Sequence, residues 1–352
     1  MIAREHPQDV GTGFAVPPVS ADISELAAEQ ARSSVSAAHV PVMLAEAVAA
    51  LAPRDGGVYV DCTFGGGGYS AALLAAADCR VWAIDRDPTA VALAHRLAAE
   101  QGGRLGVIKG CFGDLSALLN ERGVTLVDGV VFDLGVSSSH LDDAGRGFSF
   151  RFDGPLDMRM GATGETAADL VNHLSEHELA RLIFDYGEER RARRVAGAIV
   201  AARAEAPIER TGRLASIVRS AVPSSHDGLD PATRTFQALR MAVNDEPGEL
   251  RRGLTGAENM LAPGGRLAVV SFHSLEDRVV KEFLRLRSEL PAAPSRHLPG
   301  AFIPAARPVF SFRLLDRRPS LPSPAEIVSN PRSRSAKLRA AERTDAPPFV
   351  VS

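Results

Sequence analysis

Apolar and polar positions fall into two rhythms along this chain, one short and unbroken, the other with a helical period. Residues 1–38 show neither; they are rich in Ala, Ser and Glu and predict a flexible N-terminal extension. Patterning starts at His39. Pro41 stands where a first helical residue is tolerated, and Val42, Leu44, Ala47, Val48 and Leu51 share one helical face. Compact apolar runs follow at Val58–Asp61, Arg80–Asp85, Leu105–Ile108 and Val127–Leu134, separated by helical stretches at Tyr69–Ala77, Pro88–Glu100 and Leu115–Glu121. Such runs, apolar on both faces and joined by helices, predict a parallel sheet covered on each side.

The alternation then stops. Residues 142–161 predict a long Gly-rich loop, a length that more often serves function than connection. Helical patterning follows, with Ser175 and Glu178 as a capping box, Thr211 ahead of Leu214, Ile217 and Val218, and Asp230-Pro231 ahead of Phe236, Leu239 and Val243. Strand patterning resumes at Arg266–Phe272, and Phe310–Leu315 alternates like a late edge strand. The expected organisation is an α/β core over 39–141 and 236–320, a helical insertion over 142–235 and a basic C-terminal segment over 321–352.

Composition narrows the class. With 45% hydrophobic and 24% charged residues in 352, the chain has material for a substantial core. No apolar run reaches the ~18 residues of a membrane helix, and the charged start lacks a signal-peptide core, so a cytoplasmic protein is expected. Cys62, Cys79 and Cys111 form no C-x-x-C pair, which argues against a structural zinc, and no metal is expected. The net charge of −3 excludes a uniform polycation, although residues 278–343 hold 14 basic against five acidic side chains. Only three of the 40 basic residues are lysines, a bias that speaks of composition rather than of RNA.

The chemistry concentrates at strand ends. Asp61-Cys62-Thr63-Phe64 leads into Gly65–Gly68, a turn that lets a ligand approach the backbone and the N–H groups of the following helix. Asp85 closes the second strand at the position where a carboxylate accepts ribose hydroxyls. Together they predict a nucleoside-containing cofactor. The dinucleotide fingerprint would place Ser70 where its third glycine belongs, and Asp61 suits a cationic ligand better than a pyrophosphate. S-adenosylmethionine (SAM) is therefore favoured over a nicotinamide dinucleotide. Asp133 ends the fourth strand, where open parallel sheets bind ligands. A carboxylate there can accept an N–H from an exocyclic base amine and localise its lone pair, which makes Asp133 the candidate catalytic residue. The N/D/S-P-P-Y/F segment of DNA amino-methyltransferases is absent.

Several longer segments run in order over His39–Arg343: DCTFGGGGYS at 61, FDLGVSSSHLDD at 132, GRGFSFRFDGPLDMRM at 145, PATRTFQALRMAVNDE at 231 and LAPGGRLAVVSFHSLEDRVVK at 261. With HVPVMLAEAV, AIDRDP, YGEERRARRVAGAI and NPRSRSAKLRAAER, they make the chain resemble the RsmH (MraW) family of bacterial SAM-dependent methyltransferases of small-subunit ribosomal RNA. The resemblance implies a Rossmann-like class I core with an inserted helical domain. It also implies N4-methylation of a cytosine in the decoding centre of 16S rRNA. Carried over by position, cofactor contacts would be Gly67, Gly68, Tyr69, Asp85, Phe112, Asp133 and His140. Tyr69 replaces the family's usual His, and His140 stands where Gln is common.

RNA contacts are expected from Arg190, Arg191 and Arg194, which crowd with Arg193 into one to two helical turns as an exposed basic face; the alternative is a solvated face paired with Glu188 and Glu189. Phe148, Phe150 and Phe152 are candidates to stack on an extruded base or to anchor their loop. Arg332, Arg334, Lys337 and Arg339 form a further basic stretch. His273 and Glu276 follow the fifth strand; a single His there reads as structural and is not assigned. The partner expected is 16S rRNA in the small subunit, with the enzyme a monomer or homodimer.

Overall fold

A computed structural model describes residues 41–222, 228–288 and 309–349. The expected N-terminal extension and His39 lie outside them. The elements in order are α1 (Leu44–Leu51), β1 (Val58–Asp61), α2 (Gly68–Ala76), β2 (Arg80–Asp85), α3 (Pro88–Glu100), β3 (Leu105–Lys109), α4 (Leu115–Asn120), β4 (Val127–Asp133) and α5 (Ser138–Asp142). Five helices follow: α6 (Ala167–His173), α7 (Glu176–Gly187), α8 (Ala192–Glu205), α9 (Thr211–Ala221) and α10 (Ala232–Val243). The chain ends with α11 (Glu246–Met260), β5 (Leu261–Ser271), α12 (Ser274–Ser288), β6 (Phe312–Leu314), α13 (Pro324–Ser329) and β7 (Lys337–Arg343).

All strands join one seven-stranded sheet, ordered β3-β2-β1-β4-β5-β7-β6. Strands β1 to β5 are parallel, and β7 runs antiparallel to both β5 and β6. This is the Rossmann-like class I architecture expected. Neighbouring residues on one strand serve opposite faces. Val130 and Phe132 pack with Leu115, Leu254 and Phe283, whereas Val131 packs with Met43, Leu73 and Ala94. Both faces are therefore covered, which explains strands that are apolar without interruption.

The helical insertion has its own core, built from Phe148, Leu156, Val171, Ile183, Val195 and Leu214 among others. Its expected end at residue 235 needs correction. Phe236 and Leu239 of α10 belong to this helical core, so the unit runs to Val243 and the sheet resumes with α11. The change of direction falls at Asp245, whose φ is +48°.

The C-terminal expectation also changes. Part of the basic segment is β7, hydrogen-bonded between β5 and β6. Leu338 and Ala341 are buried, while Lys337 and Arg339 meet Asp277 at 3.0 and 2.7 Å. Its polar spelling, KLRAAER, hid a strand whose charges are consumed by internal ion pairs. Phe310–Leu315 does supply the edge strand, as β6. Among the described residues no helix is long and apolar enough to cross a membrane.

Candidate functional site

A cleft of about 830 Å³ opens beyond the C-terminal ends of β1, β2 and β4 and reaches the ends of β5 and α10. Its first wall is the glycine turn. Gly67 takes φ +82° to start α2, and a Cβ there would come within 2.7 Å of the Phe64 ring. A Cβ on Gly68 would meet Pro41 Cγ at 2.1 Å, so that glycine lets the segment before α1 close over the helix. Gly65, Gly66 and Gly68 border the cleft, whereas Gly67 sets the turn behind it. The N–H groups of the first turn of α2 have no partners within the helix itself.

Tyr69 borders the cleft but is 3% exposed, and its phenol donates to the Val42 carbonyl. Its ring packs with Phe64, Leu73 and Met43, so the Tyr in place of the family's His serves the core. Asp61 lies beneath the turn, fully buried, accepting from the Thr63 N–H at 3.2 Å and the Ser70 hydroxyl at 2.8 Å. Burial pushes its pKa up to about 6.

Asp85 closes β2 with one oxygen held by the Gly65 N–H at 2.9 Å and the other by the Asp87 N–H at 2.8 Å. Each oxygen keeps a lone pair for a further donor. Burial raises its pKa, and those two N–H groups oppose the rise. Phe112 faces the same space and is braced edge-on by Phe132 at 5.5 Å.

His140 also borders the cleft, yet both ring nitrogens are engaged. Nε2 meets Asp87 at 2.5 Å, and Nδ1 accepts the Ser137 N–H at 3.3 Å. Phe148 stacks on the ring with centroids 4.8 Å apart. What His140 offers a ligand is therefore shape, through its hold on Asp87.

Asp133 ends β4 inside the cleft. Its N–H donates to the Thr63 hydroxyl at 2.7 Å, but its Oδ1 is buried without a hydrogen-bond partner. Burial drives its pKa well above the carboxylate range, reinforced by Asp61 and Glu276. Sequence reasoning did not assign the wall opposite. His273 and Glu276 stand there at the start of α12, with Tyr186, Arg240 and Glu246. Arg240 grips Glu246 through two hydrogen bonds of 2.7 and 2.8 Å. The available signal was positional: SFHSLED directly follows a strand whose carboxyl end opens on the cleft.

The phenylalanines of the long loop divide. Phe148 and Phe150 are anchors, the second edge-on to Phe236 at 4.8 Å, while Phe152 is 63% exposed. Arg190, Arg191, Arg193 and Arg194 are all exposed, and none has a side-chain ion pair among the described residues. Glu188 instead bonds Arg278 and Ser274, at 3.0 and 2.6 Å, and Glu189 is buried against the Arg191 N–H. The basic cluster is thus left uncompensated at the turn between α7 and α8.

The chain is similar to several known proteins. A family model described as the MraW methylase family matches residues 36–344. A protein of Rhodospirillum centenum named ribosomal RNA small subunit methyltransferase H is 66% identical over 309 residues, 88% of this chain and 93% of that one. A Paramagnetospirillum magneticum protein of the same name is 62% identical over 88% of this chain and 96% of its own. An rRNA methylase structure from Streptococcus thermophilus superposes with a TM-score of 0.40 at 12% identity, covering 88% of this chain and 100% of that one. With nearly nine-tenths of its length matched at such identity, the chain belongs to the MraW methylase family.

Proposed function

We propose that this protein methylates the N4 amine of a cytosine in the decoding centre of 16S rRNA, with SAM as donor. The observation that carries the reading is that Asp85 and Asp133 open onto one cleft from the ends of β2 and β4, the strands on either side of β1. One carboxyl suits a ribose, and the other keeps an unspent oxygen where a substrate amine would enter. The relatives' names support ribosomal RNA of the small subunit as the substrate.

The residues present fit SAM. Asp85 retains lone pairs for two hydroxyls, the glycine turn leaves its backbone open, and Phe112 offers a face for the adenine. The buried Asp61 adds negative potential for a cationic ligand. Bound there, SAM would supply a methyl group made electrophilic by its sulfonium. Asp133 then accepts an N–H from the exocyclic amine, which returns the nitrogen lone pair from the ring, and it can take the proton the amine sheds. In-line transfer needs no covalent adduct. Cys62 borders the cleft at the end of β1, but burial holds its thiol far from the nucleophilic thiolate form. The exposed arginines around Arg190, Arg191 and Arg194 would follow phosphates and orient the strand, with the base swung out of its stack.

The decisive experiment is transfer of labelled methyl from SAM to small subunits isolated from a strain lacking the enzyme, with the modified nucleotide located by mass spectrometry. Label on the N4 of one decoding-centre cytosine is expected. Absence of label, or label elsewhere, would overturn the reading.

A further inference from the structure

Helices α7 and α12 stand on opposite banks of the cleft. Leu179 and Ile183 of α7 pack in the helical core, whereas Val280 and Phe283 of α12 pack in the core of the sheet. Asp185 and Tyr186 border the cleft from the first bank, and Leu275 and Arg278 from the second. One side chain crosses between them. Glu188 Oε2 accepts the Ser274 hydroxyl at 2.6 Å, and Glu188 Oε1 accepts the Arg278 guanidinium at 3.0 Å. The hydroxyl first, and then the guanidinium, hold that carboxyl below its ordinary pKa, so it is an anion at neutral pH.

Nothing in the turn itself calls for a glutamate. Glu188 caps α7 with φ +49°, in the left-handed region where glycine ordinarily ends a helix and a residue with a Cβ is strained. The carboxylate is therefore explained by what it reaches. Yet the contact is open to water, with the Arg278 side chain 64% exposed and that of Glu188 46%. An ion pair so exposed adds little to stability. Its geometry is that of a reversible clasp across the mouth of the cleft rather than of a structural staple.

A hydroxyl and a guanidinium that share the two oxygens of a carboxylate can share those of a phosphodiester in the same way, since it carries two unesterified oxygens on one atom. Ser274 also opens α12, a helix of 15 residues, whose positive end favours an anion. The acids of that first turn are already engaged: Asp277 by Lys337 and Arg339, and Glu276 Oε2 by the N–H groups of Phe272 and His273. Two residues beyond Glu188, Arg190 begins the exposed cluster that has no side-chain ion pair among the described residues. We infer that Ser274 and Arg278 form a phosphate-binding site at the mouth of the cleft, occupied in the free protein by Glu188 and taken over by the RNA backbone when the substrate docks. One anion replaces another there, and release of Glu188 uncouples the two banks as the strand enters. This inference rests on the rRNA reading above.

Binding of unmethylated small subunits to the wild-type protein and its variants, across a salt series, tests it. Glu188→Gln removes the competing charge and should bind about 2–5-fold more tightly, the worth of one exposed ion pair. Arg278→Gln should bind more weakly, with a salt slope smaller by about one. Added to Glu188→Gln, the Arg278→Gln change should cost more affinity than it does in the wild type, because the guanidinium is then undivided. A merely structural clasp gives the opposite sign, since loosening the banks would not improve binding. A Glu188→Gln protein with unchanged or weakened affinity overturns the inference, as does an Arg278→Gln protein with wild-type affinity and slope; the rRNA reading stands in either case. A wild-type protein that binds small subunits but labels no cytosine overturns that reading alone, and one that does not bind them overturns both. Should Glu188→Gln fold poorly, Glu188→Gly, which the backbone favours, is read in the same way.

Discussion

His140 brings its Nε2 to 2.5 Å from Asp87 Oδ2, the oxygen that Arg146 also reaches at 2.8 Å. Asp87 in turn gives its N–H to Asp85, so the carboxylate that faces the cofactor space and the long loop after β4 are parts of one hydrogen-bonded assembly. Arg146 extends that assembly to the carbonyls of Arg159 and Met160, and Asn244 holds the Met160 N–H at 2.8 Å. This polar seam joins the sheet to the helical unit.

Asp87→Asn should destabilise the fold by about 3 kcal/mol at neutral pH, because it removes the buried carboxylate on which Arg146 and His140 converge. Burial raises the Asp87 pKa, but the hydrogen bonds from His140 and Arg146 outweigh it and hold it far below the ordinary carboxylate range. A depressed carboxylate stabilises above its unfolded pKa, and that contribution fades as pH falls towards the folded value. The gap between wild type and variant in urea melts should therefore be largest near pH 7 and narrow steadily below about pH 4.

Asp85→Ala should weaken SAM binding by about 10–100-fold, as expected for the loss of charge-assisted hydrogen bonds to two hydroxyls. Titration calorimetry checks this. An unchanged affinity would remove Asp85 from the ribose site.

Asp133→Asn should lower kcat by about a hundredfold or more while SAM still binds. The pH profile gives a second readout. Burial, with Asp61 and Glu276 nearby, raises the Asp133 pKa, and the ionised carboxylate is the form that accepts and removes a proton. Wild-type kcat should climb with pH through a range above that of an ordinary carboxylate, and the climb should vanish in the variant. Bound SAM, as a cation, should draw the midpoint downward.

Replacing Arg190, Arg191 and Arg194 together by Gln should raise KM for small subunits and flatten the dependence of binding on salt, with kcat and SAM affinity little changed. Each lost phosphate contact removes about one unit of salt slope. Binding measured across a salt series decides it; a slope equal to wild type would show that this face does not meet RNA.

Much of this was legible in the linear chain. Unbroken apolar runs at Val58–Asp61 and Val127–Leu134 announced buried parallel strands, because only a sheet covered on both faces tolerates them. The glycine turn and Asp85 marked one wall of the cleft, since backbone approach and a strand-end carboxylate are local properties. By contrast, β7 was hidden: Lys337, Arg339 and Glu342 look like solvent-facing charge until Asp277 and Arg313 are beside them. The extent of α10 was equally hidden, because its apolar stripe does not say which of two cores it joins.

The amino-acid order by itself thus determined the class of fold and which strand ends open on the cleft, both consequences of short-range periodicity and local turn geometry. Only the tertiary structure decided that both nitrogens of His140 are engaged within the protein, that Tyr69 turns its phenol into the core, and that Lys337 and Arg339 converge on Asp277. Those facts depend on what stands opposite each side chain, and the partners, Asp87, Val42 and Asp277 among them, lie tens of residues away along the chain.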